Sequence, residues 1–222
     1  AYDRCFAEVA EILALRLAGG AQALGFDPRR DGIAAHPDAK TARLSALIES
    51  HERQAVSAWW QGQRPAQPLA DGWLASTGVA AQVAADRTGS AQKRPCQFWL
   101  LAAQGGLQVV VCRSTSQHGQ EPILGYGCHP FAAWAAIKAL REALLMEVNL
   151  MTLQFARSTG TLADHTALSG RIATYGRRLP DLLPQGPGIT PAADVPVSQP
   201  PLDGLRLRDL TTADSPMPVW LC

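Results

Sequence analysis

The sequence predicts an α+β fold in which pseudo-repeated helix–strand units pack helices against an antiparallel or mixed sheet. Three stretches carry apolar residues at helical spacing, which requires helices with a buried face. Two runs of β-forming residues flank Gln104-Gly105-Gly106, which requires a hairpin. A third observation joins these two: a loop-and-helix segment recurs 93 positions further along the chain, as duplication of a supersecondary unit would produce.

The first helix covers about Tyr2 to Leu17, with Phe6, Val9, Leu13 and Leu17 spaced to share a face and Gly19-Gly20 ending it. The second covers Asp38 to Trp60. Pro37 precedes it, Asp38 suits its N-cap, and Leu44, Leu47, Ile48 and Val56 form its apolar stripe. Trp73, Leu74 and Val79 predict one more helix within Leu69 to Arg87. Cys96 to Leu101 and Leu107 to Cys112 are the hairpin strands, and Pro122 to Tyr126 is a third strand. That strand feeds a long helix running from just after Pro130 to about Phe155. Trp134, Ile137, Leu140, Leu144, Leu145 and Val148 make it apolar on nearly all sides, which predicts burial in the centre of the fold. Nine of the 16 prolines lie from Pro180 onward, so Leu179 to Asp203 is neither a packed helix nor a central strand. It reads as a wrapping arm, a linker or a disordered stretch, followed by a short edge strand at Leu205 to Arg208. Residues 1–178 then form the domain and residues 179–222 a proline-rich C-terminal arm.

Composition narrows the function classes. The chain is 47% apolar and 18% charged with a net charge of +1, which supports a sizeable core and leaves no electrostatic footprint for duplex nucleic acid or an anionic membrane. The longest wholly apolar run, Phe131 to Ile137, is seven residues, too short to cross a bilayer, and no signal-peptide pattern opens the sequence. Alanine supplies 37 of the 222 residues, which favours helices. The five cysteines are odd in number, scattered and without a CxxC, which argues against a disulfide framework or structural zinc and for a reducing compartment. These observations together predict a cytoplasmic protein with no nucleic-acid or membrane partner.

The repeat sets His36-Pro37 and the helix after them over His129-Pro130 and the last long helix. Seven of the 14 positions from His36 to Glu49 are identical, where chance gives roughly one. The first helix fits the same frame 41 positions earlier, with Glu8 against Glu49 and Glu11 against Glu52. Each unit thus delivers a helix with glutamates at a fixed depth, and a pseudo-symmetric core would converge their carboxylates.

Glu8 and Glu11 are three apart, as are Glu49 and Glu52, so each pair shares a helix face. Brought together they offer four hard oxygen donors, which suit Mg2+ with substrate phosphates completing its shell. Arg53 could make a charge-assisted contact with a phosphate, and Ser45, one turn before Glu49, could donate to a nucleotide. Lys138 interrupts an apolar helix at the position that repeats Ser45 and needs an acidic or phosphate partner if buried. The plainer alternative is that these glutamates are solvated helix faces. His36 and His129 lack companion soft ligands for zinc and read as capping or packing residues. Adjacent Cys128 and His129 do not make a nucleophile and its base. The sequence has no GxxxxGK[ST], GxGxxG after a strand, GxSxG or HExxH, so any nucleotide would be held without a phosphate loop.

Ser45-Ala46-Leu47-Ile48-Glu49-Ser50-His51-Glu52-Arg53 has the form SxxxExxER and follows Asp31-Gly32-Ile33-Ala34-Ala35. This string resembles a unit of the YcaO family. Gly125-Tyr126-Gly127-Cys128-His129-Pro130 with Ala139-Leu140-Arg141-Glu142-Ala143 resembles that family's next unit, and Ala1 to Leu15 resembles its first. The resemblance spans about residues 1–155 in the family's order. It implies an ATP-binding fold without a P-loop, and ATP-dependent modification of a peptide backbone, by azoline-forming cyclodehydration or thioamidation, in ribosomal peptide natural-product biosynthesis. By position, Glu8, Glu11, Glu49 and Glu52 would hold Mg2+, and Ser45, Arg53, Lys138 and Glu142 would help hold ATP. The implied partners are a peptide substrate, a protein presenting the peptide or sulfur, and a second copy of the chain in a homodimer. Lys138 stands for an expected Arg and Leu145 for a usually polar residue. A third helix contributing nothing polar would favour the alternative, a non-catalytic YcaO-like scaffold or leader-peptide-binding partner of another modification enzyme. A helical metal protein without nucleotide fits less well, because the glutamate pairs lack the histidines of di-iron bundles.

Overall fold

A computed structural model of the chain describes residues 2–87, 94–160, 166–192, 206–213 and 215–222. Helices α1 (Tyr2–Leu17) and α2 (Gly20–Leu24) precede strand β1 (Ile33–Ala35) and helix α3 (Ala39–Trp60). A short strand β2 (Gln67–Pro68), helices α4 (Asp71–Ser76) and α5 (Val79–Asp86), and strands β3 (Cys96–Gln104), β4 (Leu107–Ser114) and β5 (Ile123–His129) follow. Helices α6 (Ala132–Thr159) and α7 (Thr166–Arg178) and strands β6 (Arg208–Asp209) and β7 (Val219–Leu221) complete the order. The expected helix within Leu69 to Arg87 is two helices, because Gly78, at φ 81°, turns the chain between α4 and α5.

The strands form two antiparallel sheets, ordered β1-β7-β6 and β2-β3-β4-β5. Strand alternation gives each sheet two apolar faces. Ile33, Ala35, Val219 and Leu221 pack on Ala10 and Ala14 of α1, whereas Ala34 and Trp220 pack with Ala46 and Leu47 of α3. In the larger sheet, Trp99, Leu101, Val109, Val111 and Leu124 pack on Trp59 of α3, and Phe98, Leu100, Val110, Cys112 and Ile123 pack on α6. The layers therefore run α1, small sheet, α3, large sheet, α6, with α3 as the shared central helix. Leu140 is fully buried in the α6 layer, and Leu140→Ala is expected to cost about 2–5 kcal/mol of stability, read as a lower urea midpoint.

Two expectations about helix faces are corrected. Phe6, Val9, Leu13 and Leu17 of α1 are exposed, as are Trp134, Leu145 and Val148 of α6. Mostly alanines cover the sheets instead: Ala10 and Ala14 on α1, and Ala132, Ala135, Ala136, Ala139 and Ala143 on α6, where Leu140 of the expected stripe is buried with them and Ile137 and Leu144 are partly buried. Small side chains let a helix backbone approach a strand closely, which turns the bulky stripe outward. The helix α6 is thus an outer layer with one buried face, and Leu44 of α3, expected in its apolar stripe, is also exposed.

Within the proline-rich stretch, Leu179–Leu182 forms a 3-10 turn with Leu179 and Leu182 buried, and Trp59 Nε1 donates to Leu182 O. Ile189 then bridges Leu69, so the described part of this stretch wraps the large sheet. Its residues from 193 to 203, and Leu205 of the expected edge strand, lie outside the described residues. The paired residues there are Arg208 and Asp209, joined to the central strand β7, which the sequence reading did not expect.

Candidate functional site

Asp38 caps α3 as expected, accepting from Thr41 N at 2.8 Å. His36 and His129 also do the same local work at their repeated positions: each Nδ1 accepts a backbone N–H two residues on, from Asp38 and Phe131, both at 3.0 Å. The histidines thus set the entry into α3 and α6.

Each of these two helices follows a sheet-edge strand, and the edges are where the glutamates converge. In β1, Gly32 exchanges hydrogen bonds with Cys222, and His36 N donates to Pro218 O. By alternation, the N–H groups of Ile33 and Ala35 point out of the open edge, where an unpaired donor needs a partner. Glu49 Oε2 accepts Ile33 N at 2.8 Å, and Glu11 Oε1 accepts Ala35 N at 3.0 Å. The larger sheet repeats the device: Glu142 of α6 accepts Tyr126 N on edge strand β5 at 2.6 Å. Glu49 and Glu142, and Ile33 and Tyr126, are the same positions of the 93-residue repeat, so the duplication is geometric as well as textual.

Glycines make the approach possible. A methyl group on Gly32 would lie 2.6 Å from Ser50 N and closer still to Ala46 O, both in α3. The repeat equivalent, Gly125, meets Ala139 O and Ala143 N of α6 in the same way, and Gly127 meets Ala135 O. These glycines are positioning residues that the sequence reading missed; the sequence signal for Gly32 and Gly125 is a glycine kept at the same repeat position, whereas Gly127 repeats Ala34.

Around the edges the side chains interact as one charged group. Arg53 donates to Glu49 Oε1 and to Asp31 O, both at 2.6 Å. Burial pushes Glu52 up to about 7, with Glu142 and Glu49 adding to the rise and Lys138 and Arg53 opposing it. Burial likewise pushes Glu11 up to about 7, with Glu49 and Glu8 adding to it, and burial raises Glu49 against the pull of Arg53. Glu8 is exposed and enters this group through Glu11. Lys138 donates from Nζ to Cys128 O at 3.2 Å, beside Glu52. The third helix therefore brings two polar groups, Lys138 and Glu142, to the same edge, while Leu145 points to the surface. Ser45 is half-buried one turn before Glu49, and its hydroxyl makes no hydrogen bond among the described residues.

Carboxylates that are costly to ionise mean that the chain without metal binds protons more tightly folded than unfolded. Below the ordinary carboxylate range, Glu11 and Glu52 are protonated in both states. As pH rises towards about 7, the unfolded chain ionises first and stability falls. With a chelator present, the urea midpoint is expected to be lower at pH 8 than at pH 5, and Glu52→Gln is expected to flatten that difference.

The carboxylates offer hard oxygen donors of the kind Mg2+ takes. Among the described residues, no three Asp, Glu, His or Cys side chains stand together as a ready ligand cluster.

The family whose sequence model matches is described as YcaO cyclodehydratase, ATP- and Mg2+-binding, and the match covers residues 19–212. The chain belongs to the YcaO family. No curated protein matches it. Among solved structures, a heterocyclase in complex with substrate and cofactor is 20% identical with a TM-score of 0.59, covering 88% of this chain and 27% of that one. The heterocyclase TruD is 18% identical with a TM-score of 0.52, over 88% of this chain and 28% of that one. A YcaO from Methanopyrus kandleri bound with AMPPCP and Mg2+ is 19% identical with a TM-score of 0.52, over 85% of this chain and 52% of that one. These likenesses show that this YcaO chain shares their α+β fold. It spans about a quarter to a half of the length of those proteins. No helix among the described residues is long and apolar enough to cross a membrane.

Proposed function

We propose that this YcaO chain binds ATP and Mg2+ along the paired edges of its two sheets and serves ATP-dependent modification of a peptide backbone amide. The observation that carries the reading is the convergence of Glu11, Glu49, Glu52 and Glu142, from three helices, on the open edges of β1 and β5. Glu8, Glu11, Glu49 and Glu52 would hold the metal, and Ser45, Arg53, Lys138 and Glu142 would contact the nucleotide. Mg2+, when bound, offsets charge on the phosphate oxygens.

The chain's own groups have separable tasks. The edge N–H groups of Ile33, Ala35 and Tyr126 fix three carboxylates before any ligand arrives, which lowers the ordering cost of binding. Arg53 is held by Glu49 and Asp31 O, so its guanidinium is oriented beside the carboxylates, as a phosphate contact requires. Phosphorylation of the amide oxygen would turn a poor leaving group into a good one. A neighbouring Cys, Ser or Thr side chain could then close an azoline, or sulfide could give a thioamide.

The polar contribution of α6 supports this reading over a non-catalytic scaffold, because Lys138 and Glu142 both face the same edge as Glu52. The outward apolar stripes of α1 and α6 favour association with a second copy or with a partner that presents the peptide. Calorimetry with a non-hydrolysable ATP analogue is expected to show binding that needs Mg2+. A wild-type chain that is folded and shows none overturns the reading.

A further inference from the structure

We propose that Cys96 and Cys112 form an oxidisable thiol pair on the α6 face of the large sheet, with Cys96 attacking a hydroperoxide and Cys112 resolving it to a disulfide. The pair sits with Glu147 rather than with Glu11, Glu49, Glu52 and Glu142, and the proposed nucleotide chemistry does not use it. Cys96 is opposite Ser114, and Cys112 is opposite Phe98 two register positions along, so the two cysteines are diagonal neighbours on one face. The two thiols act on each other's ionisation, in opposite directions. Diagonal positions on neighbouring strands stand about 7–8 Å apart, so closing the disulfide draws the two strands together at this point.

The surroundings divide the labour between them. Cys96 is half-buried, whereas Cys112 is fully buried. Arg87 donates from Nη2 to Cys96 Sγ at 3.1 Å. The same guanidinium pairs with Glu147 of α6 at 2.7 Å, and Arg94 lies beside it on Ser114 Oγ at 3.0 Å. Glu147 and Glu121 both act on Arg94, while Arg87 at the sulfur itself favours a thiolate. The Cys112 thiol and Arg87 draw the Cys96 thiol down to about 7 against its burial, while the Cys112 thiol moves the other way. A cavity of about 510 Å³ lined by Val83, Ala84, Arg87, Arg94, Pro95 and Gln117 opens next to this group. Its lining includes Arg87, which donates to the Cys96 sulfur, and Pro95, which precedes Cys96, so a small oxidant can come up beside the sulfur's partner.

In the first step the Cys96 thiolate sulfur takes one peroxide oxygen. The O–O bond breaks, and the other oxygen leaves with a proton as water or alcohol. In the second step the Cys112 sulfur attacks the Cys96 sulfenic acid, the S–O bond breaks, and its oxygen leaves as water with the Cys112 proton. Two thiols thus lose two electrons, and the peroxide gains them.

The test treats the full chain with hydrogen peroxide and maps all five cysteines by mass spectrometry. The expected result is a two-hydrogen mass loss with a Cys96–Cys112 linked peptide, formed before Cys5 is oxidised although Cys5 is exposed. In Cys112→Ser, a sulfenic acid trapped by dimedone is expected at Cys96. Arg87→Gln is expected to slow Cys96 oxidation about tenfold, with Arg87→Lys recovering part of the rate. Oxidation of Cys5 ahead of Cys96, or oxidised Cys96 without the linked peptide, overturns the proposal. The Cys112→Ser result decides it even if Arg87→Gln, which leaves Glu147 with one partner fewer, folds poorly.

Discussion

Glu52→Gln is expected to weaken Mg2+-dependent binding of an ATP analogue by about ten- to a hundredfold, the size of a lost charge-assisted contact of about 1.5–3 kcal/mol, while the chain stays folded. Glu52 suits this test better than Glu49. Among the described residues no strand N–H donates to Glu52, and its carboxyl is costly to ionise where it stands. An amide there removes the charge a cation would use and also removes the repulsion with Glu142 and Glu49. Metal-free stability at neutral pH should therefore hold or rise. Glu49 is different, because it satisfies Ile33 N and Arg53 at once. Glu49→Ala should lose binding and also cost about 1–3 kcal/mol through the orphaned edge donor. Calorimetry measures the affinity, and urea melts measure the fold. Wild-type affinity in Glu52→Gln would remove Glu52 from the site.

Gly125→Ala is expected to destabilise the chain by about 3 kcal/mol, at the upper end for forced overpacking, and to lower Tm by roughly 6–12 °C for a chain of this size. The added methyl group would meet the backbone of α6 at Ala139 O and Ala143 N. Backbone cannot rotate away as a side chain would, so the helix must shift from the sheet. That shift would carry Glu142 off Tyr126 N, and nucleotide affinity should fall with stability. Gly72→Ala, at a glycine whose added methyl meets nothing within 4 Å, is the control and should stay within about 0.5 kcal/mol of wild type. Equal effects of the two substitutions would show that close packing at Gly125 is not what holds α6.

Much of the fold was legible because its signals are local. Asp38, Pro37 and Gly19 mark helix ends, and the Gly105-Gly106 turn marks the hairpin; each acts through backbone geometry within a few residues. The repeat was legible as well, because a duplicated unit keeps its anchors: His36 and His129 cap, and Glu49 and Glu142 hold an edge N–H. The site was legible as a set of glutamates, but not as a set of bonds. Spacing places Glu49 and Glu52 on one helix face; it does not say that Ile33 N is the partner of Glu49.

The apolar stripes misled for a related reason. Period alone cannot say which side of α1 or α6 faces a sheet, and here the alanine side won, because close approach to Gly125, Gly127 and the small β1 residues needs small side chains. Strand β7 was missed because three residues carry too little pattern, and its pairing with β1 joins chain segments nearly the full length apart.

The sequence by itself determined the elements, the duplicated unit and the chemistry available, since these follow from propensity, capping and side-chain type along short stretches. Only the tertiary structure decided which helix faces are buried, that the C-terminal strand completes the small sheet, and that the glutamates of three helices meet at two open edges. Those outcomes depend on distant segments competing for the same backbone donors and the same apolar surface, and no local stretch contains both sides of that competition.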